Sequence, residues 1–271
     1  MKQGVHWVTI PWRDRFVEIE LQWLGQATQQ PLMVFLHEGL GSLAMWRDFP
    51  ARLCAQLGCR GLVYSRPGYG RSTPRAADEH WQTDFLHQQA QEVLPALLAA
   101  CGVHPAQEKI WLLGHSDGGS IALLHAARYP EQVAGLIVMA PHLFAEPVTL
   151  RSIAHARSQY LETDLRLRLA RFHQDPDSAF WGWNDIWLQP AFQDWNIAEE
   201  LRAVRCPVLA IQGLDDAYGT LEQIRNIARQ IPHTQLLELP DCGHNAHKDQ
   251  AQAVQQAIQT FYQQQRQETA V

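Results

Sequence analysis

No basic run longer than two residues occurs anywhere in the 271-residue chain, and the formal net charge is −6. Nucleic-acid binding needs a basic excess gathered on one face, so nucleic acid is excluded as an expected partner. No stretch approaches the ~18 consecutive apolar residues of a membrane-crossing helix, and no membrane partner is expected. Cysteine is sparse: Cys54, Cys59, Cys101, Cys206 and Cys242 are scattered, odd in number and without a CxxC spacing. That pattern argues against a disulfide framework and fits buried thiols in a reducing compartment. The opening MKQGVHWVTIPWRDRF has no leader-type apolar core and no small-residue cleavage site. A cytoplasmic protein is expected.

What is present is a globular composition, 46% hydrophobic and 18% charged, in a chain long enough to bury a large core. Val5–Ile10 and Phe16–Trp23 read as an antiparallel hairpin around a Pro-Trp-Arg-Asp turn. Leu32–Leu36, Gly61–Tyr64, Ile110–Leu113, Val133–Met139, Val208–Gln212 and Gln235–Leu239 are short apolar runs, the mark of strands covered on both faces. Helical patterns alternate with them at 45–57, 84–100, 120–129, 221–230 and 250–262. The polar tail at 263–268 reads as a solvated helix end. Such alternation predicts an α/β fold, a mostly parallel sheet with helices on both faces.

The rhythm breaks between residues 142 and 204. This stretch is helical in pattern, rich first in Arg and then in Trp, and contains no strand-like run. Two parts are therefore expected: a core at 1–141 and 205–271, and a helical cap at 142–204. Trp181, Trp183 and Trp187 are candidate lining of an apolar substrate pocket, with one or two of them facing it. The cap arginines read as a solvated face.

Gly114-His115-Ser116-Asp117-Gly118 matches G-x-S-x-G between a strand and a helix. A sharp turn there exposes the serine hydroxyl, and glycines two residues either side let neighbouring backbone approach. Ser116 is thus a candidate nucleophile at a helix N-terminus, where negative charge is favoured. A nucleophilic serine needs a base, and the base an orienting carboxylate. Asp215 and Asp216 follow one late strand and His244 follows the next, so the order Ser, acid, His is met with either aspartate. An oxyanion hole needs two N–H donors: the amide of Asp117 is one, and the glycine-rich loop His37–Ser42 is placed to supply the other.

With these motifs the chain resembles the α/β-hydrolase superfamily, in its capped, serine-nucleophile form. The resemblance implies that the acid three positions after the strand-end glycine Gly213 is the partner of His244, which selects Asp216. The superfamily's H-G-x-x-G loop corresponds to His37–Gly41 and assigns the second oxyanion donor to Gly39. Glu38 replaces a glycine there and puts a carboxylate close to the site. Its D-x-x-G-x-G-x-S turn corresponds to Ser65–Ser72, with Ser65 in place of the usual Asp.

His115 reads as a packed turn residue, and Arg66 and Arg71 as structural. His244 and His247, with Asp241 and Asp249, lack the third close ligand of a zinc site, so no metal is expected. The implied chemistry is hydrolysis of a small apolar carboxylic ester or lactone through an acyl-enzyme, with no cofactor. Thioester hydrolysis or carbon–carbon bond hydrolysis would use the same residues. A cofactor-free haloperoxidase and a non-catalytic module on this fold are more distant alternatives. Oligomeric state is not encoded in any feature above.

Overall fold

The computed structural model describes residues 4–25 and 30–269. The first three residues of the opening stretch and the side chain of Glu268 in the polar tail lie outside that description. Among the described residues, eight strands form one sheet: β1 (Val5–Trp12), β2 (Arg15–Leu24), β3 (Leu32–Leu36), β4 (Arg60–Tyr64), β5 (Ile110–His115), β6 (Val133–Met139), β7 (Val208–Gly213) and β8 (Thr234–Leu239). Their order is β1-β2-β4-β3-β5-β6-β7-β8. The β1–β2 and β2–β4 pairs are antiparallel and all others parallel.

Alternation along the parallel strands sorts side chains into two cores. Val34, Leu112, Leu136 and Ala210 pack on one face, Phe35, Leu113, Ile137 and Ile211 on the other. The first face is covered by α2 (Phe85–Gln88), α3 (Leu94–Ala100), α4 (Asp117–Arg128) and α8 (Glu222–Gln230); α1 (Phe49–Leu57), the short α9 (Ala246–Asp249) and α10 (Ala251–Thr269) cover the second. The chain steps from β3 outward to β4 and then back to β5. A reversal of this kind leaves a crevice at the carboxyl ends of the two strands flanking it. The loops after β3 and β5 carry His37–Ser42 and Ser116.

Three local expectations are corrected. The hairpin turn is only Arg13-Asp14, because Pro11 stays in register opposite Phe16; β1 is an edge strand, where a proline costs no ladder bond. The expected helix 45–57 is a 3₁₀ turn (Leu43–Trp46) followed by α1, whose first turn accommodates Pro50. The helix expected over 84–100 contains a π turn at Gln89–Val93. Pro95 has no N–H to offer the preceding turn. Carbonyls there find tertiary donors instead: His125 Nδ1 reaches Ala90 O at 2.8 Å and the Tyr129 hydroxyl reaches Gln91 O at 3.1 Å.

Between β6 and β7 the described chain contains α5 (Pro147–Glu162), α6 (Leu165–Leu169), α7 (Pro176–Leu188) and short 3₁₀ turns, with one isolated bridge from Phe144 to Asn196. These helices stand outside the sheet. They are tied to loops beyond its carboxyl edge: the Gly70 amide donates to His173 Nδ1 (2.9 Å), and the Ser178 hydroxyl donates to Gly68 O (3.2 Å).

Candidate active site

The β5–α4 turn places Ser116 at φ 53°, ψ −121°, in a region that side-chain-bearing residues seldom occupy. The turn needs its glycines. A Cβ at Gly114 would lie 2.2 Å from Gly118 O, and one at Gly118 would lie 2.0 Å from Leu36 O. α4 begins at Asp117, not at Ser120 as its pattern suggests, so the Asp117 amide is among the first-turn N–H groups that lack a helical partner.

Asp216 and His244 meet at the ends of β7 and β8. His244 Nδ1 lies 2.9 and 3.0 Å from the two carboxylate oxygens of Asp216. Nδ1 is therefore the donor, and Nε2 is left with its lone pair. Asp216 also accepts from the Tyr218 amide (2.8 Å) and from Gln212 Nε2 (3.2 Å). Burial raises its proton affinity, but His244 and the Tyr218 amide outweigh that and hold the carboxyl below its usual range. Asp215 is exposed, and its amide donates to Cys242 O.

Ser116 and His244 face one cavity of about 400 Å³, whose walls include Glu38, Gly39, Asp117, Trp183 and Trp187. A larger cleft of about 540 Å³ between β2 and α1 is lined by Cys54, Cys59 and neighbours, without a histidine or a carboxylate among the described residues.

The Glu38–Gly39 peptide is held with unusual completeness. Glu38 O accepts from the Gly41 amide (3.0 Å), His37 Nδ1 (2.7 Å) and Arg66 Nη2 (2.9 Å). His37 Nε2 in turn accepts from the Arg66 amide (3.0 Å), which fixes the ring as the Nδ1–H tautomer. Its burial, reinforced by the Arg66 charge, keeps it neutral by lowering its pKa well below the usual value. In a trans peptide the N–H points opposite to the carbonyl. With Glu38 O committed to three donors, the Gly39 amide points away from them, and Gly39 lines the cavity. Trp183 closes over this residue: a Cβ at Gly39 would meet its Nε1 at 2.3 Å.

Of the three candidate tryptophans, Trp183 and Trp187 line the cavity and Trp181 does not. Trp181 packs on Tyr160 and Phe180 under the Arg157 guanidinium. The reason is helical geometry: 183 and 187 are four apart on one face of α7, and 181 lies on another. Trp187 Nε1 donates to Asp117 Oδ1 (3.2 Å), while Arg66 Nη2 stands 3.6 Å from Oδ2. Burial raises the Asp117 carboxyl pKa, and Arg66 and Trp187 act against that rise.

Several residues of the site were not singled out by sequence. His142 follows β6, lines the cavity, and lies 5.0 Å from the Trp187 ring and 6.0 Å from the His244 ring. Burial, with the neighbouring His244, lowers its pKa to about 3. Its place just past a strand end was the available signal. The Tyr218 ring packs tilted against His244, its centroid 4.8 Å away, Lys248 stands at the cavity wall, and Ile153, Leu165 and Leu169 form its apolar side. Ser65 is completed from another strand: its hydroxyl donates to Glu20 Oε1 at 2.5 Å, and the Arg71 amide donates to the same oxygen at 2.9 Å. The carboxylate absent from position 65 is thus supplied by β2.

Among the described residues, no group of three or more His, Cys, Asp or Glu side chains could hold a metal ion. No helix among them is long and apolar enough to cross a membrane.

Residues 33–257 match the model of the alpha/beta hydrolase family. The chain belongs to that family. It is an enzyme of the hydrolase class, as are relatives that carry a hydrolase name. It is similar to a 2-hydroxy-6-oxo-6-phenylhexa-2,4-dienoate hydrolase of Burkholderia cepacia, 25% identical over 258 residues, covering 85% of this chain and 87% of that one. It is also similar to a 2-succinyl-6-hydroxy-2,4-cyclohexadiene-1-carboxylate synthase of Enterobacter sp. (strain 638), 27% identical over 258 residues, covering 83% and 88%. Among solved structures, a thermophilic esterase from Thermogutta terrifontis superposes with a TM-score of 0.73 at 20% identity, covering 97% of this chain and 99% of that one. That last likeness concerns the fold.

Proposed function

We propose that this hydrolase cleaves a carboxylic ester or lactone through an acyl-enzyme on Ser116. The observation that carries the reading is a serine on a strained strand-to-helix turn, sharing one cavity with a histidine whose Nδ1 is saturated by a buried aspartate. His244 Nε2 takes the hydroxyl proton as Ser116 Oγ attacks the carbonyl carbon. The amides of Gly39 and Asp117 stabilise the oxyanion, and Asp216 stabilises the imidazolium. His244 then gives its proton to the leaving oxygen. A water, deprotonated by the same imidazole, releases the acid and restores Ser116. The mechanism calls on no metal ion and no organic cofactor.

Ile153, Leu165, Leu169, Trp183 and Trp187 favour a small apolar acyl group. The segment 142–204 acts as the cap that supplies those side chains. A second reading, carbon–carbon bond hydrolysis, draws on the hydrolases of 2-hydroxy-6-oxo dienoates among the relatives. A panel of p-nitrophenyl esters, lactones, acyl thioesters and a 2-hydroxy-6-oxo dienoate, run on wild type beside Ser116→Ala, separates the two. Esters or lactones should turn over fastest, and the alanine variant should lose that turnover. Turnover confined to the dienoate would replace the ester reading with the second one.

A further inference from the structure

Behind the candidate triad lies a pair of side chains that the mechanism above does not use. His115 is fully buried, and its Nε2 lies 2.8 Å from the backbone carbonyl oxygen of His244. A carbonyl only accepts, so Nε2 carries a proton. Nδ1 of the same ring faces Glu38 Oε2 at 3.6 Å and has no other partner. An ionised carboxylate opposite a bare nitrogen lone pair would be two acceptors facing one another, the ring nitrogen being shut off from solvent. A proton between them removes the conflict.

We infer that Glu38, at the cavity wall, and the buried His115 form an ion pair, with a proton on each ring nitrogen of His115, and that this pair positions His244. The chain of contacts runs from the oxyanion loop through Glu38 and His115 to the backbone of the base. It couples the Gly39 donor to the His244 imidazole, whose ring centroid is 5.0 Å from that of His115. This role rests on the reading of Ser116, His244 and Asp216 as a triad; the proton count does not.

The charged surroundings are consistent with an ionised Glu38. Its carboxylate packs over Gly41, where a Cβ would meet Oε2 at 2.4 Å. Burial pushes its pKa up, but His115 and Lys248 outweigh burial and hold it below the usual carboxylate range; the adjoining His37 is neutral. Arg66 donates to its main-chain carbonyl. The other titratable rings nearby are His173, His247, His244 and His142. His247 packs 5.0 Å from His115, and burial, with the charge of His115, lowers its pKa to about 2. Burial depresses His173 and His142 as well.

The test is ¹⁵N NMR of histidine-labelled protein at pH 7.5, with His115 assigned by comparison with His115→Gln. Two ring protons are expected on His115 in wild type, and one, on Nε2, in Glu38→Gln, whose amide N–H can donate to Nδ1. The second readout is the pH profile of kcat/KM. Removing the cationic ring beside His244 should move the acid limb of Glu38→Gln to higher pH and lower kcat about tenfold, with KM within about twofold. A wild-type His115 with a single ring proton would overturn the inference. So would an acid limb that does not move in Glu38→Gln. The NMR readout needs no turnover, so an inactive enzyme on the ester panel would count against the triad and leave the proton count standing.

Discussion

Asp216 grips His244 through both carboxylate oxygens, at 2.9 and 3.0 Å from the same ring nitrogen. Its neighbour Asp215 points to solvent and is anchored by its backbone amide. The two aspartates therefore differ sharply in what an amide substitution does. Asp216→Asn loses the charge that stabilises the imidazolium and can present an N–H to Nδ1, selecting the wrong tautomer. A loss of about three to four orders of magnitude in kcat is expected. Asp215→Asn should cost less than about tenfold. Steady-state kinetics on both variants, with folding checked by circular dichroism, decides; a dead Asp215→Asn beside an active Asp216→Asn would exchange their roles.

Trp183 closes the cavity over Gly39, whereas Trp181 packs on the far side of α7 against Tyr160. Trp183→Ala should enlarge the acyl site and shift the ratio of kcat/KM for long over short acyl esters by about tenfold. Trp181→Ala should leave that ratio unchanged and lower the melting temperature instead. Equal ratios in both variants would remove Trp183 from the specificity-determining wall.

Five histidines are buried with lowered pKa values: His37 and His173 in direction, His125 to about 4, His142 to about 3 and His247 to about 2. Desolvation of the cation is the first cause in each. The unfolded chain then binds more protons than the folded one below the ordinary histidine value. Stability is full above about pH 6.5 and falls as pH drops toward the depressed folded values. His125 tests this away from the cavity. Its Nδ1 bond to Ala90 O can be kept by an amide, and Nε2 has no partner to lose. His125→Asn should flatten the dependence of unfolding free energy on pH between 6 and 4.5 by about 1.1 kcal/mol per pH unit. Urea titrations at several pH values measure it, and an unchanged slope would mean that His125 is not buried in its neutral form.

How much of this was legible beforehand depended on whether the determinant was local. The parallel strands were readable because each is a short apolar run closed by turn residues, and their ends lie within about two residues of the pattern. The Ser116 turn was readable because both glycines and the serine fall inside five residues, although the backbone that crowds Gly118 is that of Leu36 on β3. The spacing by four that puts Trp183 and Trp187 on one face was present in the sequence, but Trp181 stood beside them among the candidates, and the structure removes it from the cavity. Other features depend on groups far apart in sequence. The π turn at Gln89–Val93 needs Pro95 together with donors from His125 and Tyr129 on another helix. Glu20 completes the Ser65 turn from 45 residues away. No periodicity in one segment reports such a partner. His142 stands between these cases: its strand-end position was visible, but its contact with Trp187 and His244 exists only once the helices after β6 fold over the sheet edge.

The central claim is that Ser116 is the nucleophile, and a fluorophosphonate probe tests it most directly. Wild type treated with the reagent should gain the mass of one adduct, and peptide mapping should place it on Ser116. Ser116→Ala should retain the fold and gain none. His244→Gln, which lacks the base, should label far more slowly than wild type. An adduct on another residue, or undiminished labelling of Ser116→Ala, would contradict the account.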